Sequence, residues 1–166
     1  MEKIELINPD YKGYVDVIRH ACRGIVVCEN KILLGYETKE CQYIIPGGGV
    51  FVGETFEECV KRELREETGF LCKPVNYYLC INELFESMRH CNHYFICEIV
   101  ENTNNTSLTD YEINVGLTTK WVDINDAIGI FSTYEDYKNN NISRYGLYRR
   151  ELLALKEYLK ERGTDI

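Results

Sequence analysis

The sequence has little of several things, and each shortage excludes something. Its 166 residues hold three prolines, one tryptophan, two methionines and three histidines. No apolar run approaches the ~20 residues that a membrane-crossing helix needs. The opening stretch MEKIELINPDYKG has no apolar segment of the secretory kind, so a cytoplasmic location and no membrane partner are expected. Basic residues are short: 19 Lys and Arg stand against 27 Asp and Glu, a net charge of −8. Such a chain repels a polyanion on average. It also has no interleaved basic and aromatic residues, so polymeric nucleic acid is excluded as partner. A small molecule is favoured, with cations mediating the contact if it is anionic.

Paired cysteines are missing too. The eight cysteines stand singly at 22, 28, 41, 59, 72, 80, 91 and 97, with no C-x-x-C among them. They read as reduced, mostly buried small hydrophobes rather than a disulfide frame or a zinc site. The run His90-Cys91-Asn92-His93 could hold a metal, but it leads straight into YFICEIV and reads better as the start of a strand.

What is present is ordinary for a globular protein: 45% hydrophobic and 28% charged residues. The length suits one domain over 1–166. Residues 15–28 are rich in β-branched side chains and read as a strand, with a turn at Glu29-Asn30-Lys31 and an answering strand ILLGY. A short strand at 42–45 stops at Pro46 and three glycines. Residues 55–68 read as a helix closed by Gly69. Strands are expected at 76–81, 93–100 and 118–122, a surface loop at 102–110, and a short helix capped by Asp123. In the last segment, LYRRELLALKEYLKERG, Tyr148, Leu152, Leu155 and Leu159 form a helical stripe. That stripe suits docking on the core and leaves open a homodimer contact. Mixed strands and helices make the class α/β or α+β.

The informative stretch is GGGVFVGETFEECVKRELREETGF, residues 47–70. On a helix turning about 100° per residue, Glu63 shares an arc with Phe56, Cys59, Val60 and Leu64. Glu67 falls within that arc and Glu66 at its edge, while Glu57 and Glu58 point to solvent. Arg62 is placed to reach Glu66 at best. Three carboxylates on a core-facing arc need pairing, protonation or a metal. Hard oxygen ligands without histidine favour Mg²⁺ or Mn²⁺ over zinc. Gly47, Gly48 and Gly49 just ahead let the backbone approach a ligand closely. No Gly-Lys-Ser/Thr follows, so this is not a P-loop. Glycines beside a carboxylate-bearing helix suggest metal-assisted phosphate chemistry.

Gly48, Glu54, Arg62, Glu63, Leu64, Glu66, Glu67, Gly69 and Phe70 match the pattern G-x5-E-x7-R-E-U-x-E-E-x-G-U at every defined position. The chain thus resembles the Nudix family, MutT-like members included, with the motif at 48–70. The resemblance implies the Nudix fold, a mixed β-sheet sandwiched between α-helices in an α/β/α sandwich. It implies Glu63 and Glu67 as the main Mg²⁺ or Mn²⁺ ligands. Glu66 becomes a further ligand or the general base, and Arg62 and Glu54 orient the cluster. The glycine loop and Gly69 shape it. Family members often draw another glutamate from a loop before the last strand, and Glu112 stands in that region as an extra ligand or base. The implied reaction is hydrolysis of a nucleoside diphosphate linked to a moiety X, with a nucleoside triphosphate or nucleotide sugar open as substrate. Arg19, Arg23, Lys39 and Arg89 are candidates for phosphate contact. A non-catalytic nucleotide sensor is the alternative; it fits an intact motif less well.

Overall fold

The computed structural model describes residues 1–163. The chain runs through β1 (Glu2–Ile7), β2 (Val17–Cys28), β3 (Lys31–Glu37), β4 (Gln42–Ile44) and β5 (Gly47–Gly49) to helix α1 (Phe56–Thr68). A long hairpin of β6 (Phe70–Phe85) and β7 (Met88–Asn102) follows. The rest is α2 (Asp110–Val115), β8 (Leu117–Asp123), α3 (Ile124–Ser132), a 3-10 turn (Thr133–Tyr137) and α4 (Ile142–Glu161).

The sheet is mixed, in the order β1-β6-β7-β2-β3-β4, with β5 attached to β2 and β8 to β3. Strand β2 is its pivot. Residues 17–26 run parallel to residues 88–97, residues 21–23 also pair antiparallel with β5, and the end of β2 turns back on β3. Alternation along each strand divides the core between two faces. Cys22, Val26, Leu33 and Phe95 pack under Cys59, Val60 and Leu64 of α1. Ile25, Ile32, Leu34 and Tyr94 pack with Phe131 of α3 and Leu152 and Leu155 of α4. Helices therefore cover both faces, and the chain has the expected α/β/α sandwich. The stripe Tyr148, Leu152, Leu155 and Leu159 is buried in that second cluster.

Helix α1 begins and ends as its sequence demands. The Thr55 hydroxyl accepts from the Glu58 N–H, and the Glu58 carboxylate accepts from the Thr55 N–H at 2.8 Å, a reciprocal cap. Gly69 closes the helix in the left-handed region at φ 75°.

Several elements differ from the sequence reading. EKIELI at 2–7 is an edge strand parallel to β6. β6 and β7 extend well beyond the segments expected at 76–81 and 93–100. Pro74 hides β6, because proline breaks a strand pattern. The register shifts beside it, between Pro74 and Asn76, in the manner of a bulge. The glycines after Pro46 are a short strand rather than a free loop. The polar stretch before β8 ends in α2, capped by Thr109 and Glu112, and α3 runs on to Ser132. Among the described residues, no helix is long and apolar enough to cross a membrane.

Candidate active site

The cleft beside α1 is built by one arginine. Arg62 Nε and Nη2 grip both oxygens of Glu54, at 2.7 and 2.9 Å. Its Nη1 donates to Glu63 at 2.6 Å and to Glu66 at 3.1 Å, and Nη2 also donates to the Gly49 carbonyl at 3.0 Å. The guanidinium lies over the Phe51 ring, 3.9 Å from its centroid. Arg62 thus reaches three carboxylates, not Glu66 alone. A helical wheel places Cα atoms, and a four-bond side chain can turn back to its own neighbour. The pairing holds the Glu54 carboxyl below its usual range and raises the Arg62 pKa further.

Gly48 lets Glu63 fit. A Cβ there would stand 2.6 Å from both Glu63 carboxylate oxygens. Glu67 turns the other way and accepts from the Gly47 N–H at 2.9 Å. Its side chain keeps some surface, but the carboxyl is enclosed by the glycine strand. Desolvation first, and repulsion from Glu63 second, push its pKa up to about 8 against the opposing Gly47 hydrogen bond. Burial likewise raises the Glu63 pKa, with Arg62 opposing.

Glu63, Glu66, Glu67 and Glu112 line one cleft of about 360 Å³ with Gly47, Gly48, Gly49, Arg62 and Arg19. Glu112 reaches it from α2, where it also accepts from the Thr109 N–H at 2.7 Å. The sequence signal for α2 was the reciprocal-cap pattern T-x-x-E at 109–112. Glu54 braces Arg62 from the loop before α1, and Gly69 caps the helix at its far end. Arg19 is the phosphate candidate that lines the cleft. Arg23 is buried instead; it donates to Asn92 Oδ1 at 3.1 Å and to the Ile45 carbonyl at 3.0 Å, behind the glycine strand. Lys39 is bonded to Asn114, and Arg89 lies 3.8 Å from Glu5.

The donor set fits a hard divalent cation. It is all oxygen, and Glu63 and Glu67 hold raised pKa values that mark repulsion and desolvation Arg62 does not offset. Among the described residues no three His, Cys, Asp or Glu side chains already stand in a coordinating arrangement. Arg62 and the Gly47 N–H hold the carboxylates apart. His90 and His93 do not converge either: His93 bonds Tyr77 and His20 at 2.6 and 2.9 Å, whereas His90 faces another cavity.

The family model described as NUDIX domain matches residues 18–144. The chain belongs to the NUDIX family. A 57-residue stretch is 47% identical to an ADP-ribose pyrophosphatase of Methanocaldococcus jannaschii, over 32% of this chain and 33% of that protein. A 52-residue stretch is 42% identical to the NAD-capped RNA hydrolase NudC of Vibrio atlanticus, over 30% of this chain and 19% of that protein. These matches span a third or less of the relatives' lengths. Among solved structures, a UDP-X diphosphatase superposes with TM-score 0.61 at 19% identity, covering 87% of this chain and 63% of that one. A MutT protein from Methanosarcina mazei Go1 superposes with TM-score 0.55 at 18% identity, covering 84% and 96%. At such identity the two superpositions establish the NUDIX fold alone.

Proposed function

We propose that this NUDIX protein is a divalent-metal-dependent pyrophosphohydrolase. It cleaves the pyrophosphate of a nucleoside diphosphate linked to a further moiety X, in the nucleoside triphosphate or nucleotide sugar class. The observation that carries the reading is four glutamates and one bracing arginine around a single cleft at the edge of a glycine strand. Names of the matched relatives, ADP-ribose pyrophosphatase among them, agree with it.

Glu63 and Glu67, with Glu112 beside them, would hold Mg²⁺ or Mn²⁺, which supplies neutralisation of pyrophosphate oxygens and a more acidic water. Glu66 is the general base in this scheme. Its side chain is 34% exposed, so a water can reach it. Glu112 commits a carboxylate oxygen to capping α2. Arg62 fixes the Glu63 and Glu66 carboxylates, so their orientation costs nothing during the reaction. Arg19 faces the cleft as a cation for a substrate phosphate. Gly48 keeps the backbone clear of Glu63.

A panel of nucleoside triphosphates and nucleotide sugars, incubated with Mg²⁺ or Mn²⁺, tests the reading by product analysis. A nucleoside monophosphate should appear with either pyrophosphate or phosphorylated X. Tight binding of a nucleotide with no cleavage across the panel would favour a sensor instead.

A further inference from the structure

Beside the glutamate cleft lies a second cavity, of about 370 Å³. The two come together at Arg23, whose guanidinium lies 3.5 Å from the Gly47 carbonyl, and at residues 111–112. Arg23 lines the second cavity while donating to the Ile45 carbonyl just before the glycine strand. Tyr111 lines it while its neighbour Glu112 lines the glutamate cleft. A volume of this size suits one ring-sized ligand group.

The cavity is polar at its floor and apolar at its rim. Phe85, Ile44 and Leu147 contribute the apolar surface. The floor is a buried network. Arg150 donates to Glu83 at 2.8 Å and to Glu151 at 2.6 Å, and Asn92 donates to Glu83 at 3.1 Å. Three polar atoms at this cavity are enclosed and unpartnered: Asn8 Oδ1, Asp10 Oδ1 and Arg150 Nε. Asn8 is 6% exposed and Arg150 4%. An enclosed polar atom without a partner costs about 1–3 kcal/mol, so native proteins fill such places.

These three atoms are two acceptors and one donor. A hydroxyl satisfies both kinds. Charge points the same way: Asp10, Glu37 and Glu83 oppose only Arg23 and Arg150. His90 adds no positive charge, because burial and the nearby arginines hold its pKa down to about 3. An anionic phosphate is therefore disfavoured there and a neutral polyol is not.

Gly146 opens the room for it. Glycine inside a helix costs about 1 kcal/mol relative to alanine, yet α4 carries one facing this floor. A Cβ there would lie 3.3 Å from Asn8 Nδ2 and 3.4 Å from Glu83 Oε1. A larger side chain would occupy the space above Asn8.

We infer that this cavity is the subsite for a neutral sugar ring of the substrate, read by Asn8, Asp10 and Arg150 and kept open by Gly146. The inference rests on the nucleotide chemistry proposed above, which places a phosphate at the adjoining cleft. The ring is either the sugar of X or the ribose of the nucleoside.

Calorimetric titration of the full chain, with divalent ions chelated so that no turnover intrudes, separates these sources. ADP-ribose against ADP reads a sugar in X; ADP against 2′-deoxy-ADP reads the nucleoside ribose. One of the two affinity ratios should be about tenfold, the worth of one net hydrogen bond. Asn8→Leu and Gly146→Val should each bring that ratio close to one. Gly146→Ala serves if the valine variant does not fold, and thermal melting shows which variants are folded. No measurable binding, both ratios near one in the parent protein, or a ratio unchanged in folded variants overturns the inference. A sugar-dependent ratio without cleavage in Mg²⁺ would remove the hydrolase reading and leave the subsite standing.

Discussion

Replacing Gly48 with alanine is a clean steric perturbation of the cleft. Its backbone lies outside the left-handed region, so alanine strains no dihedral, and the added methyl meets one obstacle. The new carbon would lie 2.6 Å from both Glu63 oxygens and 2.7 Å from their carbon. Ordinary contact is about 3.5 Å or more, so the carboxylate must retreat by about 1 Å. Glu63 can retreat because it is the end of a flexible side chain, but it then loses its 2.6 Å bond to Arg62. A catalytic group misplaced by about 1 Å costs ~100-fold in rate. The expected outcome is a folded protein whose kcat/KM on its best panel substrate drops by about two orders of magnitude. Circular dichroism and thermal melting should stay near those of the parent. Gly129→Ala is the control: a Cβ there meets nothing within 4 Å. It should keep full activity and gain about 0.5–1 kcal/mol from better helix propensity. If Gly48→Ala retains activity within about threefold of the parent, the close fit of Gly48 on Glu63 has no catalytic role.

Other outcomes follow from the same geometry. Arg62→Met leaves Glu54 and Glu63 facing one another without their cation; stability in urea should fall by about 2–4 kcal/mol, and Arg62→Lys should not restore activity because lysine cannot grip Glu54 through two nitrogens. Arg150→Met strands the buried Glu83 and Glu151 and should cost about 3–5 kcal/mol in the same assay. The Glu67 pKa is near 8 folded against 4.5 in the reference state. The metal-free fold therefore holds a proton that the unfolded chain has released. That contribution is complete below the unfolded value and is lost as pH rises through the folded one. The rise in Tm on adding Mg²⁺ or Mn²⁺ should accordingly grow from mildly acidic pH to about 8, and a Tm increment independent of pH would contradict it.

The parts legible in the sequence are those whose causes are local. Thr55, Glu58 and Gly69 bound α1 by hydrogen bonds within a few residues, and the 3.6-residue repeat puts Glu63 beside Cys59, Val60 and Leu64. The motif spacing then identifies the family. What stayed hidden depends on distant partners. Arg23 carries the same charge as Arg19 and, four residues further along β2, sits on the same strand face, yet it is buried where Asn92 and the Ile45 carbonyl accept from it, and no local pattern reports that. The second cavity joins Asn8, Glu83 and Gly146, which are far apart in the chain. A glycine inside the α4 pattern was its single local sign. The T-x-x-E cap of α2 was readable, but the surrounding NTNNTSLTD masked it as loop.

Hydrolysis at a pyrophosphate by the α1 carboxylates is the reaction proposed. Its most direct test is turnover of Glu66→Gln and Glu67→Gln beside the parent, with Mg²⁺ and the best panel substrate. Each amide keeps the volume and removes the charge. Folded variants that lose about 100-fold or more in kcat support the account. Folded variants of both kinds that turn over at the parent's rate contradict it.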